Sequence, residues 1–346
     1  MTETIPSSWT TIIDAARYYP SPHNSQPIKI SIIDDMTADV YYDLDLGLPA
    51  ESYGIPFAHV CAGVFLESLS IVAANSGYTV SKVLVLDELD FTAIDRLHKF
   101  ARVTLVARPI TQDDRAAYSV FLERRTSRLP YNNQLVPQAI VDGAQAIADA
   151  QHYSFKSTSD KEVIKDIVRI NQSTLFDDLQ NDDVYTEIMH WLRFSNKEAH
   201  AKGDGLSAET MLMPGKLLHF SMKHRGMWSY PIIGGIIRSV YLRTMKGVRQ
   251  LGWIEGAFST PSDYIEAGRT FMKIWMYFAQ NGVYLHPFGT VITNPRSHKQ
   301  FVKKAGITED DNTMAWMLFR FGYSDLPPKA FRRPTEVMII KKEIHG

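Results

Sequence analysis

Apolar residues recur at helical spacing in two segments that match one another. Residues 58–78, AHVCAGVFLESLSIVAANSGY, carry Phe65, Leu66, Leu69, Val72 and Ala73 on a 3.6-residue period, and residues 263–283, DYIEAGRTFMKIWMYFAQNGV, carry Phe271, Ile274, Trp275 and Phe278 in the same way. Both begin near an Ala-Gly pair, Ala62-Gly63 and Ala267-Gly268. Both close on a glycine, Gly77 and Gly282, suited to the left-handed position just past a helix end. Each predicted helix runs into a predicted strand, over 79–87 and 284–293, and two later strands echo each other in RVTLVAR (102–108) and AWMLFRFGYSD (315–325). Helices over 8–18 and 137–150 open the two halves, while 28–35 and 39–46 alternate as a strand pair does. The pattern predicts two copies of one α+β unit, a first half over 1–112 and a longer second half over 113–346.

Residues 160–200 are predicted mostly helical. Residues 210–252 have no counterpart in the first half and are read as an insertion. They hold Lys216, Lys223, Arg225, Arg238, Arg243, Lys246 and Arg249 without one Asp or Glu, interleaved with Phe220, Trp228, Tyr230 and Tyr241. Three readings fit that pattern: a solvated basic helix pair, a lid over an anionic ligand, or a peripheral membrane contact.

Composition narrows the classes. With 45% hydrophobic and 22% charged residues the chain can bury a large core, and 37 basic against 38 acidic residues give no global signal for nucleic acid. Cys61, the single cysteine, cannot form an internal disulfide and suits a buried apolar position. The first residues lack a basic start and an apolar core, so no secretory signal is expected. The longest apolar run, 230–242, is interrupted by Gly234, Gly235 and Arg238 and is too short to span a bilayer. A cytoplasmic location without a transmembrane segment is the expectation.

Three polar motifs carry the candidate chemistry. In PSPHNSQP (20–27), Ser21, Asn24 and Gln26 offer hydrogen-bonding groups on a backbone stiffened by Pro20, Pro22 and Pro27. Such a loop suits a flat heterocycle with alternating C=O and N–H groups, or equally a helix-ending turn that caps its own backbone. His23 is read as orienting the loop. In ERRTSRLPY (123–131), Arg124, Thr126 and Arg128 alternate, so an extended backbone would point all three one way, toward a phosphate or an anionic ring; a solvated linker is the plainer reading. In PPKAFRRP (327–334), Lys329, Arg332 and Arg333 suit a phosphate or a basic tail. His286 and His298 have no partners at metal-ligand spacing, and neither a Walker A nor a GxGxxG run occurs.

In order, Pro20-Ser21-x-x-Asn24-x-Gln26-Pro27 resembles the PSxxNxQPW signature of the FMN-dependent nitroreductase family, and Arg124-x-Thr126-x-Arg128 resembles its R-x-S/T-x-R/K segment. RFGYSDLPPKAFRRP (320–334) resembles its closing strand and arginine tail. The spacing, with Cys61-Ala62-Gly63 and RRTSRLPY, is similar to the Acg-type branch, in which two nitroreductase-like units share one chain. The resemblance implies an α+β nitroreductase-like fold of antiparallel sheets flanked by helices, with FMN as cofactor. It implies NADH or NADPH as transient donor and an electron-poor small-molecule acceptor, nitroaromatic or quinone-like, in a ping-pong cycle. Arg124 or Arg125, Thr126 and Arg128 would meet the pyrimidine edge, ribityl chain or phosphate, and Arg332 or Arg333 the phosphate. Ser21, His23, Asn24 and Gln26 would approach from the opposite half, and Pro287, Phe288 and Gly289 would lie near N5. The loop occurs only in the first half and the arginine motifs only in the second, so one flavin site is expected in a monomeric pseudo-dimer or weak homo-oligomer. Ile28 stands where the family has Trp. The alternative is a lidded protein that stores or sequesters flavin with little turnover.

Overall fold

The two glycine-closed helices, Phe57–Asn75 and Pro261–Gln280, lie packed against each other at the centre of a computed structural model that describes residues 7–85 and 89–340. Their closest approach is at the Ala-Gly pairs. A Cβ on Gly63 would stand 2.0 Å from the Ile265 carbonyl oxygen, and a Cβ on Gly268 would stand 2.0 Å from that of Val60. Only glycine lets the backbones come so near. The contact is reciprocal, as a local two-fold relation requires.

Around this pair each half builds the same sheet. Strands Ile28–Ile32, Thr37–Asp43, Tyr78–Val85 and Leu97–Ala107 pair antiparallel in the spatial order first, second, fourth, third. Strands Ser154–Thr158, Gln250–Ala257, Tyr284–Pro287 and Thr313–Gly322 repeat that order. Helix Ser7–Ala16 opens the first unit and Gln138–Asp149 the second. The chain is thus α+β, two fused units of antiparallel sheet flanked by helices. One core joins them, running from Trp9, Ile13 and Phe65 to Phe278, Trp316 and Phe319. Among the described residues one helix, Phe57–Asn75, is long and apolar enough to cross a membrane, and it is mostly buried at the centre of the molecule.

Strand Thr313–Gly322 sits between two neighbours and is covered on both faces, by the Pro261–Gln280 helix on one and by Phe301 and Ile167 on the other. That burial removes the usual alternation and explains its continuous apolar run. Its one charge, Arg320, is fully buried. It donates to the carbonyls of Ser127 (3.1 Å), Leu129 (3.3 Å) and Thr244 (2.5 Å) and lies over the Tyr131 ring.

Three boundaries differ from expectation. The insertion begins well before 210: everything from 159 to 249 separates two strands that residues 33–36 join in the first half. It contains helices Lys161–Asp178, Asp182–Trp191, Asn196–Lys202, Gly215–Lys223 and Pro231–Thr244. Residues 250–252 belong to a strand instead, Gly252 pairing with Phe319. The strand expected over 284–293 ends at Pro287, because Gly289–Thr293 turns helical. The strand expected over 79–87 is seen as Tyr78–Val85, and 86 and 87 lie outside the described residues.

Candidate functional site

Helix Gln112–Glu123 ends at Arg124, whose ψ of 134° turns the backbone extended. Thr126 then bridges Leu285, and the Ser127 N–H donates to the Leu285 carbonyl at 3.2 Å. In an extended run alternate side chains share a side. Arg124, Thr126 and Arg128 accordingly line one cleft, while Ser127 is buried with its hydroxyl 2.7 Å from that of Ser324. Arg125 reaches the same cleft and donates to the Pro327 carbonyl.

The proline-rich loop arrives from the first half. His23, Asn24 and Gln26 all have left-handed backbones, with φ of 48°, 56° and 54°. Non-glycine residues hold that conformation only where their surroundings enforce it. Here Ser21 Oγ accepts the Gln26 N–H at 3.0 Å. The Asn24 amide donates to the carbonyls of Phe331 (3.0 Å) and Gly205 (3.3 Å) and accepts from Arg332 (2.7 Å). Gln26 donates to the Gly203 carbonyl at 2.9 Å and accepts the Arg333 N–H at 3.0 Å. The loop is stitched to the insertion and to the tail.

That stitching redirects two expected cofactor contacts. Gln26 is buried and lines neither cavity of the cleft, its amide being fully engaged by backbone. Arg333 also lines neither, because its guanidinium pairs with the buried Asp204, which binds Arg193 as well. Asn24 lines only the basic end, and Ser21 and His23 border both cavities.

The cleft has two parts with shared walls at Ser21, His23, Thr126 and Arg128. The smaller, about 110 Å³, is a basic recess walled by Arg124, Arg125, Arg128, Lys329 and Arg332, and no carboxylate lines it. The larger, about 400 Å³, is mainly apolar: Phe57, Cys61 and Val64 come from one central helix, Phe271 and Trp275 from the other, and Pro287, Phe288 and Gly289 from the strand end. Asn171, Tyr241 and Met245 of the insertion form its roof.

Burial makes the recess electrostatically demanding. The Arg124 guanidinium lies 4.2 Å from the Trp275 ring centre, and its Nε and Nη1 are buried without a partner, as is Arg125 Nε. Burial, then the charge of Arg332, pushes Arg124 down to about 9; burial, then Arg320, pushes Arg128 down to about 10. Burial lowers Arg332 to about 10. Buried, unpaired guanidinium groups facing one recess call for an anion with several acceptor oxygens. Next door, burial and then the charges of Arg128 and Arg320 hold His286 well below its usual range.

His23 Nε2 is bonded to the Glu51 carboxylate. Burial lowers the imidazole's pKa, but Glu51 raises it more, and the net shift is upward. Phe288 is buried and its N–H already donates to the Leu318 carbonyl at 2.8 Å. Gly289 opens the next helix, where amides have no intrahelical partner.

Arg320, Glu51, Trp275 and Tyr241 were not apparent as site residues in the sequence. Arg320 holds the 127–129 backbone that aims Arg128, and it is hidden in an apolar strand. Trp275 occupied a core position of the repeat, yet its partner in the first copy is Ser70, and that mismatch is a readable signal. The same register aligns Cys61 and Val64, which wall the chamber, with Glu266 and Arg269. Arg269 pairs with Glu266 (3.1 Å) and Glu67 (3.3 Å), so ion pairs stand where the two-fold-related chamber would have its apolar wall. Among the described residues no group of three His, Cys, Asp or Glu is placed to hold a metal.

No family model and no curated protein matches the chain. Among solved structures it is similar to the FMN and NADPH-dependent nitroreductase NfnB from Sphigopyxis sp. strain HMH, at 11% identity and a TM-score of 0.41, over 66% of this chain and 99% of that one. It is also similar to iodotyrosine deiodinase bound to FMN and 3-iodo-L-tyrosine, at 14% identity and a TM-score of 0.39, over 63% and 95%. A third is NfnB from Mycobacterium smegmatis in complex with NADPH, at 12% identity and a TM-score of 0.36, over 61% and 88%.

Proposed function

We propose that the chain is an FMN-dependent oxidoreductase that takes hydride from NADH or NADPH and passes the electrons to an electron-poor acceptor, nitroaromatic or quinone-like, in a ping-pong cycle. The observation that carries this reading is the junction of a basic recess, rich in buried unpartnered guanidinium nitrogens, with an apolar chamber walled by both halves. A phosphate at one end and a flat hydrophobic ring at the other match that division of chemistry. When bound, FMN supplies hydride-level redox chemistry at its ring N5.

The chain's own residues would do the rest. Arg124, Arg125, Lys329 and Arg332 would hold the phosphate, and Thr126 and Arg128, between recess and chamber, the ribityl chain and the pyrimidine edge. Positive charge there favours an electron-rich ring. Ser21 and Asn24 would close the site from the first half, and the Gly289 amide would offer a donor at the far end. Phe57, Trp275 and the Tyr241 roof exclude water. The His23–Glu51 pair keeps a proton on the imidazole at the chamber wall.

The roof also favours a second reading, in which the chain stores or sequesters flavin with little turnover. One experiment separates the two. Protein reconstituted with FMN is mixed anaerobically with NADPH or NADH, and loss of the yellow absorbance is followed. Rapid bleaching, with recovery on adding a quinone, supports the oxidoreductase. Tight binding without bleaching supports storage, and no binding removes both.

A further inference from the structure

Helix Pro231–Thr244 turns an apolar stripe outward. Its inward side carries the buried Gly234 with Ile237 and Tyr241, whereas Ile232, Ile236 and Val240, spaced four residues apart, are 80, 60 and 38% exposed. The outward face of a solvated helix is normally polar. Tyr230 just before it, Leu242 within it, and Leu217 and Phe220 on helix Gly215–Lys223 are exposed as well. Of the sixteen exposed large hydrophobics among the described residues, seven fall between 217 and 242, so the exposure is concentrated on these helices and their connection.

The same stretch is strongly one-signed. Arg225 is engaged by Asp182, but Lys216, Lys223, Arg238, Arg243 and Lys246 form no ion pair among the described residues and are exposed. A helix of 14 residues is about 21 Å long, too short to cross a hydrocarbon core of about 30 Å. A second copy of this chain would bring the same cations face to face, which disfavours self-association. An anionic bilayer answers both features, accepting the apolar side chains and surrounding the cations with phosphates.

We infer that helices Gly215–Lys223 and Pro231–Thr244 dock on an anionic lipid surface, with Ile232, Ile236 and Val240 at the acyl boundary and Lys216, Lys223 and Arg243 among the headgroups. The inference stands whatever fills the chamber. It does place one chamber wall at the lipid, because Tyr241 and Thr244 belong to the docking helix.

The test is sedimentation of the full chain with vesicles of phosphatidylcholine mixed with phosphatidylglycerol, and with vesicles of phosphatidylcholine alone, at low and high salt. The expected result is binding to the mixed vesicles only, weakened by salt. Lys216→Ala with Lys223→Ala lowers the partition coefficient roughly thirtyfold, at about one factor of five per charge. Ile232→Ser with Ile236→Ser abolishes binding while far-ultraviolet circular dichroism and Tm stay as in the parent, since both side chains are exposed. The inference is overturned if the chain stays in the supernatant with both vesicles, or binds both equally. It is also overturned if light scattering shows a dimer that the isoleucine changes dissolve, which would make this face a contact between copies.

Discussion

Arg332 Nη1 donates a 2.7 Å hydrogen bond to Asn24 Oδ1, joining the chain's tail to the loop 308 residues earlier. Arg332 Nη2 reaches the carbonyls of Tyr18 and Tyr19 in the same half. Arg332 is thus fastened, whereas Arg124 across the recess keeps two buried nitrogens without partners. Removal of the two arginines is expected to affect the stability of the flavin-free protein differently.

Arg124→Ala should lower FMN affinity about ten- to a hundredfold, the loss of a charge-assisted hydrogen bond worth roughly 1.5–3 kcal/mol. It should leave the flavin-free protein at least as stable, because an unpaired buried charge is removed. Arg332→Ala should lose both affinity and stability. Fluorescence titration with FMN and thermal melts with and without it check both statements, and unchanged affinity in the Arg124 variant would refute the phosphate role.

Gly63→Ala and Gly268→Ala each press a methyl into a backbone carbonyl that cannot rotate away. Overpacking of this kind costs about 1–3 kcal/mol. Gly289→Ala, whose added Cβ would meet nothing nearer than Phe57 Cε2 at 4.0 Å, should be neutral toward stability. Urea denaturation of the three variants measures the contrast.

The His23–Glu51 pair gives stability a definite pH dependence. The folded pKa of His23 is raised, so the pair's contribution is complete below the unfolded value of about 6.5 and is lost as pH rises through the folded value. Tm of the parent should decline over that window relative to His23→Gln. Parallel melting curves from pH 6 upward would disprove the coupling.

One flavin per chain is expected, because Arg269, Glu266 and Glu67 place ion pairs at the two-fold-related wall. Absorbance and protein concentration after reconstitution give the ratio directly. A ratio near two would mean that the ion pairs are displaced.

Replacing residues 215–242 by a short Gly/Ser linker opens the roof while keeping Thr244, whose carbonyl holds Arg320. FMN should remain bound, since the recess depends on 205–212 and the arginines. Rates of reduction by NADPH and reoxidation by a bulky quinone should change in stopped-flow traces. Identical rates would remove the roof from the account of access.

The duplication was legible because Ala62-Gly63 and Ala267-Gly268 mark close helix contact, and Gly77 and Gly282 mark helix ends; those positions leave a local signal. The alternation of Arg124, Thr126 and Arg128 was legible for the same reason. The engagement of Gln26 by backbone and of Arg333 by Asp204 was not legible, because the left-handed conformations of His23, Asn24 and Gln26 leave no periodic signal and Asp204 lies 129 residues from Arg333 in sequence. The insertion's true start was hidden because the amphipathic helix Lys161–Asp178 looks the same in sequence whether it belongs to a repeated unit or is appended to one.

The reciprocal seating of Gly63 and Gly268 is the geometry that a two-fold axis imposes on a pair of identical chains. In such a pair every substitution appears twice, so neither active site can change alone. The connection through residues 108–111 lifts that restriction. Glu266 and Arg269 could enter one wall while Cys61 and Val64 stayed in the other, and a long insertion could be carried by one sheet only. The two related faces of the central helix pair accordingly differ: one walls the apolar chamber with Cys61 and Val64, and the other is tied by the Arg269 ion pairs to Glu266 and Glu67.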